Sequence, residues 1–522
     1  MSFGFDNAET SAGPAPLPTD TLVDSVLILL GLTVVQRLVG FVRAVLFCRW
    51  LDADQLGQWD MAFSFFSLAA PLCVLAIPGS FGRYLEYYRQ RGQLRMFLRR
   101  TMTACGVLAV LAVSIVVAAR PWFSTLVFGE GDQSRLILVA AGCLLIVVVY
   151  SYLTELFTAM RHVRLVSIMQ LANSVTFAVL GAGLLLCWRC TAESVIVAYG
   201  GACLVAAVWA GCHLPRVWRF APAAGPCETE VALWSKIVPC ALWVLLANTL
   251  TNLFDVVDRY MIVHCSGMSA VEALRTVGNY HSSRLVPVLL VSVAMMLAII
   301  VTPHLSHHWE AGRRVRAAMR LRLFAKLFGL AGFAGMTVVS LAGPLLFVVL
   351  FRGKYPEGEA VLPWTLLYCS WIAMQMILQI YLLCVERAWL SGVALGCGLT
   401  LSVALNFVLL PRYGLHGAVV ATTIAHALAL GLICGFNWRW GFRLDGGLAA
   451  VILLPLAFCG GRWVALAALT AVALSAVWSR WLLDADERQL LAEKTVVYAE
   501  RFHLGRWVPA AVQRAADRTP LV

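Results

Sequence analysis

The sequence predicts an all-α polytopic membrane protein with about fourteen transmembrane helices. Three observations carry that prediction. Of 522 residues, 61% are hydrophobic and only 13% charged, where a soluble domain carries about a quarter charged residues. The apolar residues come in runs of about 20, the length at which a helix crosses a hydrocarbon core of about 30 Å. The segments between runs alternate between rich and poor in Lys and Arg, the pattern that orients helices in a bilayer. Lipid-facing backbone must satisfy its own hydrogen bonds, and runs of this length choose helices over a barrel. The formal net charge of +12 is therefore read as loop charge, and no nucleic-acid partner is expected.

Residues 1–20 are polar, with Asp6, Glu9 and Asp20. They lack the basic start and early apolar core of a secretory signal, so the first span is expected to be retained as a signal-anchor. Apolar runs place six spans at 21–48, 56–82, 99–119, 136–159, 164–187 and 193–213, a first group covering 21–213. Pro71, Pro78 and Gly79 interrupt the second run and predict a kink, with packing relief as the plainer role. The stretch 214–234 is the longest linker, rich in Pro, Gly and Ala, and reads as a connector between halves. Six more spans follow at 235–263, 284–306, 326–351, 361–384, 388–410 and 415–436, a second group covering 235–436. An extra pair, 446–460 and 463–481, lies within 437–481; its first member is short enough to be re-entrant. The tail 482–522 mixes charges with apolar residues and reads as a cytoplasmic helix at the membrane surface.

Charge sets the expected topology. Arg83, Arg89, Arg91, Arg95, Arg99 and Arg100 cluster after the second span, and Arg313, Arg314, Arg316, Arg320, Arg322 and Lys326 after the eighth. Loops on the opposite side hold about half as many cations as this side in total. The richer side is expected in the cytoplasm, with both termini there and the chain in the inner membrane. The two halves echo each other. Leu56-Gly57-Gln58-Trp59 is matched by Val277-Gly278-Asn279-Tyr280, and Phe41-Val42-Arg43 by Val257-Asp258-Arg259. Six helices per half make such a repeat parallel.

Polar residues inside apolar runs mark the candidate site. The first span holds Gln36, Arg37 and Arg43, and a cation deep in hydrocarbon costs roughly 3 kcal/mol or more. Arg37 and Arg43 are separated by about 120° around the helix, so both can border one wide cavity. They read as lining a chamber that accepts an anion. In the seventh span Asn248, Asn252, Asp255 and Arg259 fall on one face, which must look into the bundle. Internal pairing, of Asp255 with Arg259 or with Arg37, and ligand or ion handling both remain open. Asp255 and Asp258 are the candidates for coupling to a proton or ion. Arg259 alternatively snorkels to the interface, and Asp60 reads as interfacial. Glu155 is expected either to pair with Arg161 or Arg164 or to act in function. Gln170, Asn173, Gln375 and Gln379 read as interhelical hydrogen-bonding residues, and His304 and His426 as core histidines. No cofactor or metal site is expected. Nucleotide and hydrolase motifs are not evident, and Asp484-Ala485-Asp486 is read as a chance DxD. Catalysis is therefore not expected.

Four stretches carry a family resemblance. They are Arg37-Leu-Val-Gly40-Phe-Val-Arg43 with Leu56-Gly57-Gln58-Trp59, then Asp258-Arg259-Tyr260-Met261 leading to Val277-Gly278-Asn279-Tyr280, then Phe351-Arg352-Gly353-Lys354-Tyr355, and last Leu405-Asn406 through Pro411-Arg412-Tyr413-Gly414 to Gly417-Ala418. Over most of residues 21–436 the chain resembles the polysaccharide-transport branch of the multidrug/oligosaccharidyl-lipid/polysaccharide (MOP) exporter superfamily, which includes O-antigen flippases. The resemblance implies two six-helix lobes around a central cavity, two extra C-terminal helices and alternating access. It also implies a lipid-linked glycan as cargo, membrane lipids as surroundings, and glycan polymerase or glycosyltransferases as candidate partners. Arg37, Arg43, Asn248, Asn252, Asp255 and Arg259 are then the candidate substrate contacts. The long tail and short thirteenth span depart from the family. A multidrug or cation antiporter of the same superfamily is one competing reading, and a membrane glycan polymerase or ligase another; the latter wants a large outer loop, and the longest here is 264–283.

Overall fold

A computed structural model describes residues 22–130, 132–215, 218, 229–478, 482, 484 and 487–489, with backbone alone for 22–30 and 476–478. The expected N-terminal segment, most of the linker and most of the tail lie outside the described residues. The described residues are helical throughout, with no strand among them.

Helix α1 (Leu22–Trp50) turns at once into α2 (Ala53–Cys73). Beyond α2 the chain bends by 63° into a 3-10 turn (Ile77–Ser80) and α3 (Phe81–Gln90). Proline removes an N–H and its ring clashes with the carbonyl one turn back, so the Pro71–Pro78 stretch cannot continue as a straight helix. Leu75 and Ala76 absorb the bend in left-handed backbone, with φ of 50° and 48°. The expected kink is present. Helices α4 (Leu94–Ala118), α5 (Arg120–Phe128), α6 (Ser134–Ala159), α7 (Val163–Cys187) and α8 (Ala192–Gly211) complete the first lobe. There α7 packs on α1 and α8, and α6 on α4 and α8.

The second lobe begins with α9 (Glu230–Cys265), capped by the Thr229 hydroxyl. Residues expected as the longest outer loop are instead helix α10 (Ala270–Arg284), which opens on a capping box of Ser269 and Glu272. Then come α11 (Pro287–Glu310), α12 (Arg314–Leu345), α13 (Pro356–Cys384) and α14 (Trp389–Arg439). A straight helix of 51 residues would be about 77 Å long, more than twice the hydrocarbon core. Gly414, at φ 55° and ψ −134°, breaks it. The arms fold back, so that a Cβ on Gly398 would lie 3.2 Å from both the Ala425 carbonyl and the Ala429 Cβ. The arms are the two spans expected on either side of 410–415. Residues 446–460 form a short helix α15 (Gly446–Leu453) and a 3-10 segment (Leu454–Gly460), together about 26 Å long. Helix α16 (Arg462–Trp478) follows. Among the described residues ten helices reach spanning length, and the bent α2–α3 pair makes an eleventh. The second arm of α14 and the α15–α16 pair account for the rest of the expected number.

Two of the echoed motifs face each other across the lobes. A Cβ on Gly57 would sit 1.8 Å from the Leu274 carbonyl, and one on Gly278 1.9 Å from that of Ala53. Helices α2 and α10 thus touch backbone to backbone, which only glycine permits. At the same end Lys354 donates to the carbonyls of Trp50 (3.1 Å) and Leu51 (3.2 Å) and pairs with Asp52 (2.9 Å), while the Tyr355 hydroxyl donates to Leu51 (3.0 Å). The Phe351–Tyr355 motif therefore fastens the second lobe to the α1–α2 turn of the first.

Candidate functional site

A cavity of about 330 Å³ lies where α2, its bend, α6 and α8 meet α9. Its walls include Phe63, Phe66 and Ser67 from α2, Ser151 and Glu155 from α6, Tyr199 from α8, and Asn248 and Asn252 from α9. The Asn252 amide donates to the Ser67 carbonyl at 3.2 Å, joining the lobes. The face anticipated on α9 does look inward. Asp255 and Arg259 continue it about one and two turns further, about 4.5 and 10.5 Å along the axis, toward the α1–α2 end.

Those two residues belong to an ionic network that spans the lobes. Arg259 Nε lies 2.7 Å from Asp60 Oδ2, and His281 Nδ1 lies 2.9 Å from Asp60 Oδ1. Arg259 Nη1 donates to Ser64 Oγ (3.2 Å) and to the Asp255 carbonyl (3.4 Å). Arg284 Nη2 donates to Asp255 Oδ1 at 2.6 Å. Asp60 is 2% exposed and Arg259 7%, so Asp60 is not interfacial and Arg259 does not snorkel. Burial of each charge is tolerable because the other neutralises it. Asp255 pairs with neither of the expected partners: Arg284 takes that place. Asp60, His281 and Arg284 are the members that sequence reasoning missed, though each is a polar residue at the edge of an apolar run.

The opening helix requires a correction. Arg37 is exposed and is not among the residues lining the cavity. Arg43 is half-buried and not in the lining either; its guanidinium stacks 4.1 Å from the centroid of Phe177. Phe177 in turn packs edge-on to Tyr199, a cavity wall, at 5.3 Å. This cavity is thus not lined by arginine. The cavity's one charged lining residue is Glu155, which has no ion pair there with Arg161 or Arg164. Periodicity put both arginines on inner arcs of α1, but α1 packs mainly on α7, not on the cavity.

Asp258 forms a second polar centre, within the second lobe. It is 2% exposed. Its Oδ2 accepts from Thr422 (2.7 Å) and Tyr280 (3.3 Å), and its Oδ1 from Asn406 (3.0 Å) and Ser402 (3.3 Å). All four donors are uncharged. The Asn406 side-chain oxygen is buried without a partner. Turning that amide over would set its oxygen against the carboxylate, beside the Ser402 hydroxyl. Oxygens so grouped suit a hard cation, and a carboxylate with only neutral donors suits a proton. Ser402 and Asn406 are one turn apart and so share a face of the first arm of α14, a spacing visible in the sequence.

Other candidates resolve simply. Asp445, Asp484 and Glu487 have carboxylates within 4.8 Å of one another. Lys326 already pairs with Asp445 and with Glu487 (2.8 Å), and Arg322 with Glu487 (2.7 Å) and Asp484 (3.1 Å). The cluster is a clamp in which two cations hold three carboxylates. Asp484 serves it, which gives the isolated DxD a structural use. His426 stacks between Phe254 and Tyr368, and Gln375 donates to its carbonyl at 2.8 Å, as a core histidine and an interhelical hydrogen bond should.

Comparison with known proteins agrees with this architecture. The family model described as polysaccharide biosynthesis protein matches residues 22–309. Among solved structures, the lipid II flippase MurJ in an inward closed conformation superposes with a TM-score of 0.67 at 10% identity, covering 87% of this chain and 99% of that one. An inward-facing multidrug resistance MATE transporter of the MOP superfamily gives 0.61 at 14% identity, over 80% and 95%. The Vibrio cholerae MATE transporter VcmN gives 0.55 at 12% identity, over 80% and 98%. Likeness at these identities is likeness of fold. No curated protein matches the chain. Two helical lobes about a cavity, and a family model covering more than half of the sequence, lead to one assignment: the chain belongs to the polysaccharide biosynthesis protein family.

Proposed function

We propose that the protein moves a lipid-linked glycan precursor across the inner membrane by alternating access. One observation carries the reading: a chamber between two lobes is closed at one end by charges that join the lobes, in a chain of this family. A diphosphate-linked sugar cannot cross hydrocarbon unaided, because its charges and hydroxyls lose water. In a cavity they meet protein groups instead, while the lipid tail stays in the bilayer. Separation of Asp60 from Arg259 opens the α1–α2 end; their pairing closes it. Arg37 and Arg43 are the candidate contacts for the cargo's phosphates beside the chamber, where guanidinium forks bind bidentately. With Asp255 engaged by Arg284, Asp258 is the group for a coupling proton or sodium ion. Such an ion drives transport only by binding the two states unequally. The arginine-rich end faces the cytoplasm in this reading, and polymerase or glycosyltransferases hand over or receive the cargo.

Purified protein in liposomes holding a fluorescent lipid-linked oligosaccharide tests this. Loss of signal to an external quencher should be faster than in protein-free liposomes. No acceleration with any lipid-linked glycan would end the proposal. A cation exporter is the second reading, favoured by Glu155 as the one charged wall residue; efflux of an organic dye cation without glycan movement would establish it. A polymerase loses its expected outer loop, since 270–284 is helix α10.

A further inference from the structure

We infer that the cavity takes an uncharged sugar portion of the cargo and rejects acidic sugars, leaving the diphosphate outside it. The inference rests on the glycan reading above and narrows it. Among the described residues, no wall of the cavity is Lys or Arg, and Glu155 is its one charge. Arg259 is paired with Asp60 and Arg284 with Asp255, and Arg43 stacks on Phe177 outside the lining. An anion entering here sheds water, meets no cation and faces a like charge, which disfavours it twice. A neutral sugar meets what it needs. Asn248 and Ser151 offer amide and hydroxyl groups that both donate and accept. Phe63, 43% exposed, offers an aromatic face to the apolar face of a sugar ring. Glu155 has no partner among the described residues and accepts hydrogen bonds from sugar hydroxyls. A volume of about 330 Å³ lies at the low end for ligand cavities, about 300–1,000 Å³. That is room for a sugar ring or two, not for an oligosaccharide with its diphosphate.

The test uses full-length protein carrying Ser151→Cys in lipid nanodiscs, with maleimide labelling of that position read by peptide mass spectrometry. Two probes share one lipid diphosphate, one bearing neutral hexoses and the other the same chain ending in a uronic acid. The neutral probe should protect position 151 at about tenfold lower concentration or better, equivalent to about 1.4 kcal/mol. Adding Glu155→Gln should shrink that gap. Equal or better protection by the uronic acid probe, or an unchanged gap with Glu155→Gln, overturns the inference. If liposomes flip the glycan yet neither probe protects position 151, the inference fails and the flippase reading stands. If only an organic cation such as tetraphenylphosphonium protects, and no glycan is flipped, both fail.

Discussion

Adding one methyl group at the α2–α10 contact should pry the lobes apart. A Cβ on Gly57 would lie 1.8 Å from the Leu274 carbonyl oxygen, whereas carbon and oxygen settle no closer than about 3.3 Å. The helices must therefore separate by about 1.5 Å in Gly57→Ala, and Gly278→Ala, at 1.9 Å from Ala53, requires nearly the same. Overpacking of this kind costs about 1–3 kcal/mol, and the cost falls only on the state in which this end is closed. The closed-to-open ratio should drop roughly 5- to 150-fold. Hydrogen exchange of backbone amides in 53–62 and 270–284 reads that ratio, because both segments lose their shared cover on opening. Gly82→Ala is the control, since a Cβ there meets nothing within 4 Å. Unchanged exchange in both interface variants, with the protein folded, would refute the view that these glycines hold the end shut.

Other outcomes follow from the buried charges and the hairpin. Arg259→Ala leaves Asp60 buried with His281 alone, and loss of one partner of such a pair costs about 3–5 kcal/mol. Its thermal unfolding should fall sharply, and Asp60→Ala added to it should restore part of the loss. Asp258→Asn should abolish acceleration of flipping by an imposed sodium or proton gradient; a gradient response equal to the parent's would exclude Asp258 as the coupling group. Lys326→Met leaves Arg322 alone against Asp445, Asp484 and Glu487, so limited proteolysis should cut beyond residue 478 much faster than in the parent. Gly414→Ala must hold a Cβ in left-handed backbone at about 1–2 kcal/mol, seen as a lowered melting temperature.

Much of the fold was legible because a bilayer imposes one local demand on every span. About 20 apolar residues in helical conformation satisfy it, so spans, the Pro71–Pro78 kink and the break between the 388–410 and 415–436 spans could be read one segment at a time. The inward face of α9 was legible for the same reason: spacing by four, three and four is a property of one helix. Helix α10 was missed because Glu272, Arg275, His281 and Arg284 make it look like a loop; its capping box was the overlooked sign.

The sequence by itself determined the membrane class, the spans and the polar residues that cannot face lipid. Only the tertiary structure decided their partners: Asp60 with Arg259, Asp255 with Arg284, Asp258 with both arms of α14, and neither Arg37 nor Arg43 in the cavity wall. Helical periodicity fixes the direction in which a side chain leaves its own helix. What it meets there depends on which helix packs alongside, and that is a property of the assembled lobes.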